Sequence, residues 1–234
     1  EIYNFEELRA QLPSREWRGT SDTEVMLNAI EVWGIEKALG AFNGMFSFAL
    51  WDEEDQCLTL ARDKFGEKPL YFGLVKGNLF FASELTCIEA EFGEYLTINR
   101  SAIAKQAAVS YIPAPLSIYN EVSKLQAGSF VQFKGNKLTE IRQFWSLAGV
   151  IETAKKNQFS DDEEAVEHLH ASLKKAVKLR MASDVPLGAF LSGGVDSSLV
   201  VSLMQAQSDK PVNTFSIGFD VPGYNEAEFA KEVA

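Results

Sequence analysis

The sequence predicts two successive architectures: an α+β part made of hairpins and helices, then an α/β part built on a parallel sheet. Three observations predict this. Up to residue 145, apolar runs come in pairs separated by short polar turns, as in antiparallel hairpins. Beyond Trp145, strand-like and helix-like segments alternate, which calls for a parallel sheet with crossover helices. Between the two, residues 146–160 carry no periodicity and read as a linker. At 234 residues and 46% hydrophobic, the chain is long enough for one large or two small cores.

Ser21-Asp22-Thr23-Glu24 has the spacing of a capping box. Val25, Ala29, Ile30 and Trp33 then share one helical face, and Gly34 ends the helix. Met45 to Trp51 is apolar except for Ser47 and predicts a strand buried on both faces. After the polar turn Asp52–Gln56, Cys57–Ala61 completes a hairpin. Tyr71–Val75 and Leu79–Ala82 flank Lys76-Gly77-Asn78, and Phe130–Phe133 and Lys137–Ile141 flank Gly135-Asn136, giving two more hairpins. Ala102–Val109 reads as a short helix ahead of Pro113 and Pro115. In the second part, Ser160 with Glu163 caps a long helix whose apolar stripe is Val166, Leu169, Leu173 and Val177. Strand Leu187–Leu191, helix 196–206, strand Val212–Phe219 and helix 225–234 follow.

The net charge of −11, with no basic run, argues against nucleic acid and anionic membrane surfaces as partners. No apolar stretch approaches the roughly 20 residues of a membrane span, and residues 1–15 are too polar for a signal peptide. Cys57 and Cys87 form no Cys-x-x-Cys pair and read as buried free thiols. His168 and His170, two apart on a helix, face different ways and read as surface residues. Asn99-Arg100-Ser101 fits a glycosylation sequon that a cytoplasmic chain, the expected setting here, would not use. The chain starts without Met and stops within a helical pattern, so both ends read as cut and a fragment is expected.

The most informative segment is Leu191-Ser192-Gly193-Gly194-Val195-Asp196-Ser197-Ser198, between a strand and a helix. Gly193 and Gly194 remove side chains that would hold a ligand off the backbone. Turn N–H groups and a helix N-terminus make a concave anion site, to which Ser192, Ser197 and Ser198 add hydroxyls. Asp196 would repel bare phosphate and so implies a divalent cation between carboxylate and phosphate oxygens. The alternative is a plain Ser/Gly-rich turn. No Gly-Lys follows, so this is not a Walker A loop. The segment resembles the PP-loop of ATP pyrophosphatases.

A second constellation, Arg62-Asp63-Lys64-Phe65-Gly66-Glu67-Lys68-Pro69-Leu70-Tyr71, links two strands. Gly66 supplies a bend, Pro69 fixes φ, and Arg62 could pair with Asp63, so on its own it reads as structural. Taken in order with Glu1-Ile2-Tyr3-Asn4, Thr20–Glu24, Phe42-Asn43-Gly44-Met45-Phe46, Phe81-Ala82-Ser83-Glu84, Tyr111–Pro115, Ser183-Asp184-Val185-Pro186, the Ser192 loop and Phe215-Ser216-Ile217-Gly218, it carries a family resemblance. Nearly the whole chain resembles the glutamine-hydrolysing asparagine synthetases.

That resemblance implies an N-terminal-nucleophile (class II) glutaminase fold, a four-layer αββα sandwich, over residues 1–148. It implies the start of a parallel-sheet PP-loop synthetase domain over 149–234, both truncated. It assigns Glu1 and Asp22 to glutamine, Asp22 to the α-amino group; on sequence alone the alternative for Asp22 is a helix-cap carboxylate. Leu191, Ser192, Gly193, Gly194, Asp196, Ser197, Ser198 and Ile217 fall to ATP and its pyrophosphate, with Asp196 also on Mg²⁺. Leu191 and Ile217 otherwise read as core strand positions. The family nucleophile, a Cys after the initiator Met, would lie upstream of Glu1, so no catalytic residue is expected within the chain. The synthetase Ser-Gly-Glu-Gly motif is also missing. The fragment alone is expected to be inactive. The implied activity of the parent is ATP-dependent amidation of aspartate with glutamine as nitrogen donor. Its partners are the small molecules glutamine, aspartate and ATP, and family members are often dimers. Two alternatives stand beside it: a related amidotransferase or β-lactam-synthetase-like enzyme that adenylates another carboxylate, and a non-catalytic glutaminase-like binding module.

Overall fold

A computed structural model describes residues 1–13, 16–183, 185–221 and 225–234; Asp184 of the Ser183–Pro186 motif lies outside them. The chain divides into two compact units, Glu1–Lys156 and Asn157–Ala234.

The first unit begins with helices α1 (Phe5–Gln11), α2 (Asp22–Trp33) and α3 (Ile35–Ala41). Strands β1 (Ser47–Asp52), β2 (Cys57–Arg62), β3 (Tyr71–Val75) and β4 (Asn78–Ala82) follow, then α4 (Leu85–Phe92) and α5 (Arg100–Val109). Strands β5 (Val122–Lys124), β6 (Ser129–Lys134) and β7 (Lys137–Gln143) and helix α6 (Leu147–Lys156) complete it. All pairings are antiparallel, in two sheets ordered β1-β2-β6-β7 and β4-β3-β5.

Strand alternation sorts the side chains into three cores. Ala61 and Phe130 point from the larger sheet to Leu8, Val25, Ala29, Leu39 and Phe42 of the first helices. Leu60, Val131 and Phe133 point the other way, to Leu70, Phe72 and Leu79 on the smaller sheet's side. Val75, Phe80 and Val122 of the smaller sheet meet Ile88 of α4. Helices, sheet, sheet and helix are therefore stacked in that order, the four-layer αββα arrangement.

Several local expectations change. Strand β1 is at the sheet edge and is not buried on both faces; Trp51 remains 49% exposed. At α2, Ser21 accepts from the Thr23 N–H, but Glu24 turns outward to the Arg18 and Gly19 N–H groups and does not close the box. Residues expected to be linker form α6, begun by Ser146 Oγ accepting from the Gly149 N–H at 3.1 Å. Cys57 is buried as expected, but Cys87, on α4, is exposed.

The second unit holds α7 (Asp162–Arg180), β8 (Gly188–Phe190), α8 (Val195–Gln205), β9 (Asn213–Phe215) and α9 (Ala227–Val233). Strands β8 and β9 are parallel, Gly188 opposite Asn213 and Phe190 opposite Phe215. The cap of α7 is Asp161, accepting from the Glu164 N–H, while Glu164 reaches back to Ser160 N and Oγ; the expected box is shifted by one residue. Within its stripe, Val166 and Leu169 are exposed and only Leu173 and Val177 are partly covered. His168 and His170 are exposed, and the His168 ring lies 5.0 Å from Phe159.

Candidate functional site

The first site is assembled by a backbone crossing. Glu1–Tyr3 runs antiparallel to Asn43–Met45: the Tyr3 N–H donates to the Asn43 carbonyl at 2.7 Å and the Met45 N–H to the Glu1 carbonyl at 3.0 Å. Gly44 permits this approach, because a Cβ there would stand 2.8 Å from the Ile2 Cα. Asp22, at the first turn of α2, accepts the Ile2 N–H on Oδ2 at 2.8 Å. Oδ2 thus fixes the Glu1 segment, while Oδ1 accepts from the Ser21 and Thr23 hydroxyls at 3.5 and 3.4 Å and Ser21 serves as the cap. The result is a cleft of about 340 Å³ lined by Glu1, Ile2, Asp22, Thr23, Met26, Met45, Phe46, Ser47, Phe48 and Lys68. Glu1 and Asp22 come together in it, although they are distant in sequence. Two carboxylates and one ammonium on an apolar floor suit a small zwitterion. Neither cysteine lines it. Sequence reasoning missed Lys68, although its place in the Arg62–Tyr71 motif was a usable signal.

Glu24, next to Thr23 on α2, holds the segment before the helix. Its two carboxylate oxygens each accept one N–H at 2.9 Å, from Arg18 and from Gly19, and the Arg18 bond holds the Glu24 carboxyl below the usual carboxylate range.

The second site lies at the carboxyl end of β8, where a parallel sheet presents its loops. The Leu191 N–H donates to the Phe215 carbonyl at 2.9 Å, and Ser216 Oγ donates to the Leu191 carbonyl at 2.6 Å. The Leu191 side chain, 2% exposed, sits among Ala189, Val201 and Ala230. Its backbone and side chain are both engaged within the fold. Ile217 stands exposed at the same sheet edge.

Within the loop, Ser192 and Ser197 hydroxyls lie 2.9 Å apart, and the Gly194 N–H donates to Ser192 Oγ at 3.3 Å. The N–H groups of Gly193, Val195, Asp196 and Ser197 have no partner among the described residues. Ser198 Oγ is buried and unpartnered. Gly193 has φ +80°, and a Cβ there would come within 2.5 Å of the Phe229 backbone in α9. That glycine seats α9 against the turn, where the sequence suggested only ligand access; Gly194, with nothing nearer than Ser192 Oγ at 3.4 Å, keeps the open face. A cleft of about 520 Å³ is lined by Ser192, Gly193, Gly194, Asn225, Glu226, Glu228 and Phe229. The last four lie at or just before α9; the signal for them was the rule that successive βα loops share one edge.

Asp196 is exposed on the first turn of α8. No cluster of three or more His, Cys, Asp or Glu side chains fit for a metal exists among the described residues. One carboxylate beside a turn of unpartnered N–H groups would suit a Mg²⁺ ion arriving with a phosphate ligand and not an all-protein cage.

The family profile described as "Glutamine amidotransferase domain" matches residues 1–145, and "Asparagine synthase" matches residues 168–234. The chain belongs to the glutamine amidotransferase domain family. Over 237 residues it is 32% identical to Asparagine synthetase [glutamine-hydrolyzing] 1 of Bacillus subtilis, covering 100% of this chain and 36% of that protein. Over 238 residues it is 37% identical to Putative asparagine synthetase [glutamine-hydrolyzing] 2 of Methanocaldococcus jannaschii, covering 100% and 44%. It is also 31% identical over 205 residues to Amidase chyE of Penicillium rubens, covering 87% and 30%. The chain thus spans less than half the length of these curated relatives. Among solved structures, glutamine phosphoribosylpyrophosphate amidotransferase from B. subtilis is similar with a TM-score of 0.45 and 17% identity, over 95% of this chain and 46% of that one.

Proposed function

We propose that this chain carries the glutamine-holding cleft and the pyrophosphate loop of an enzyme that makes asparagine from aspartate, glutamine and ATP. Residues 1–148 serve the glutaminase step and 149–234 begin the synthetase domain. The observation that carries the reading is the Ser192–Ser198 turn at the sheet's carboxyl edge: four of its N–H groups have no partner among the described residues, and its Ser192, Gly193 and Gly194 line a 520 Å³ cleft.

In this reading Asp22 faces the α-ammonium of glutamine and Glu1 shares the cleft with it, while the released ammonia serves the second domain. There the aspartate side-chain carboxylate attacks the α-phosphorus of ATP. The bond to the β-phosphate oxygen breaks, pyrophosphate leaves, and β-aspartyl-AMP forms. Ammonia then displaces AMP to give asparagine. The loop N–H groups and the Ser192, Ser197 and Ser198 hydroxyls receive the charge that grows on pyrophosphate. Leu191 holds the loop to β9 from inside the core, and Ile217 offers apolar surface at the nucleotide edge. Mg²⁺, held by Asp196, supplies neutralisation of phosphate charge. The free thiols Cys57 and Cys87 suit a cytoplasmic setting.

The two halves are tested separately in the intact protein. Asp196→Ala abolishes aspartate-dependent exchange of pyrophosphate into ATP and leaves glutamine hydrolysis, while Asp22→Ala raises KM for glutamine and leaves exchange. Unchanged exchange in Asp196→Ala overturns the loop assignment. The similarity to a protein named an amidase, at nearly the same identity, favours testing other carboxylates in the same exchange assay; exchange driven by one of them in place of aspartate establishes a different acceptor.

A further inference from the structure

Asp63 is fully buried at 0% exposure, yet it forms no ion pair with Arg62 beside it. Its carboxylate accepts four backbone N–H groups. Oδ1 takes Phe65 at 3.1 Å and Glu67 at 2.9 Å; Oδ2 takes Lys68 at 3.0 Å and Phe46 at 3.3 Å. Arg62 grips the same loop from the other polarity, donating to the carbonyls of Gly66 and Lys68, and reaches Leu125, just after β5, with a third bond. The residues joined by Oδ2 are not neighbours in sequence, but both line the cleft that holds Glu1 and Asp22. One oxygen atom therefore sets the distance between two walls of that cleft, and Phe46 in turn continues the Gly44–Met45 segment that pairs with Glu1.

We infer that Asp63 is a positioning residue for the glutamine cleft: it holds the Phe46 and Lys68 backbones in register so that Glu1, Asp22 and Lys68 face one ligand. The inference rests on reading that cleft as the glutamine site. The loop's sequence supports a dedicated device. Gly66, at φ +67°, leaves room for the Arg62 guanidinium, whose atoms would lie 3.0 to 3.1 Å from a Cβ there. A strand connection that served only to reverse the chain would not need two opposite charges committed to seven backbone groups, four on Asp63 and three on Arg62.

The test is Asp63→Asn in the intact protein, with glutamine-dependent and ammonia-dependent asparagine formation measured side by side. An amide keeps the shape but turns an NH₂ toward one pair of N–H donors. KM for glutamine rises by about tenfold or more, while ammonia-dependent turnover stays at the wild-type value. A residue that only stabilised the fold would lower both activities together and leave KM alone, and that result overturns the inference. If Asp63→Asn does not fold, Gly66→Ala decides: it pushes the loop through Arg62, so it raises KM for glutamine in the same direction, and an unchanged KM overturns the inference. Asp22→Ala is run in parallel. If it too leaves KM unchanged, the cleft reading itself has failed; if it raises KM while Asp63→Asn does not, only the positioning role has failed.

Discussion

Replacing Gly193 with Ala tests how the Ser192–Ser198 turn is built. Gly193 has φ +80°, a left-handed conformation that costs an L-residue about 1–2 kcal/mol. Its new Cβ would sit 2.5 Å from the carbonyl carbon and Cβ of Phe229 and 2.7 Å from Ala230 N, where ordinary contact begins near 3.4 Å. Those are backbone atoms of α9 or directly attached to them, so relief requires moving the helix. Overpacking of this kind adds about 1–3 kcal/mol. The total, about 2–5 kcal/mol, is enough to shift α9 from the turn and open the cleft formed by Ser192, Gly194, Glu226 and Glu228. The assay is aspartate-dependent pyrophosphate exchange, with glutamine hydrolysis and thermal unfolding as companions. Exchange falls by at least about tenfold, which needs only ~1.4 kcal/mol, while glutamine hydrolysis is retained. Gly194→Ala is the contrast. Its Cβ meets only Ser192 Oγ at 3.4 Å, so the Tm is nearly unchanged while exchange still declines, because the methyl occupies the open face. Wild-type exchange and Tm in Gly193→Ala would refute the reasoning.

Further outcomes follow from the same geometry. The Glu24 carboxyl is held below its ordinary value chiefly by the Arg18 N–H, so its contribution is present above pH 4.5 and is lost as pH falls through the lowered folded value. Protection of the Arg18 and Gly19 amides, relative to their intrinsic exchange rates, is therefore present at neutral pH and falls as pH drops through the lowered folded value, and Glu24→Gln reduces it at neutral pH. Leu60→Ala, at the junction of the two sheets, costs about 2–5 kcal/mol in denaturant unfolding, because Val131, Phe133 and Leu70 surround a fully buried side chain.

Much of the fold was legible because its signals are local. The hairpins at Lys76-Gly77 and Gly135-Asn136 announce themselves through turn residues, and the Ser192 turn through glycines between an apolar run and a helix. What was not legible depends on partners distant in the chain. The edge position of β1 follows from sheet order, which no period-2 pattern encodes. The exposure of Cys87 depends on which side of α4 meets the smaller sheet, and there Ile88 takes the buried place. Helix α6 was missed because Leu147, Val150 and Ile151, correctly spaced for a helix, are diluted by Gly149 and stay exposed. The cap of α7 slipped by one residue because Ser160-Asp161-Asp162-Glu163-Glu164 offers two equivalent boxes, and the choice depends on which carboxylate reaches Ser160. Among the residues that line the two clefts, Asp22 and Ser192, Gly193 and Gly194 of the turn stand in motifs visible in the sequence. Asn225, Glu226, Glu228 and Phe229, at or just before α9, have no motif of their own; only the edge shared by successive βα loops of the parallel pair β8–β9 pointed to them.

The central proposal is that the enzyme this chain is part of adenylates aspartate and releases pyrophosphate. Incubating the intact protein with ATP, Mg²⁺ and labelled pyrophosphate measures this directly. Label enters ATP when aspartate is present and stays out when aspartate is withheld. Entry that ignores aspartate, or no entry with any carboxylate offered, contradicts the account.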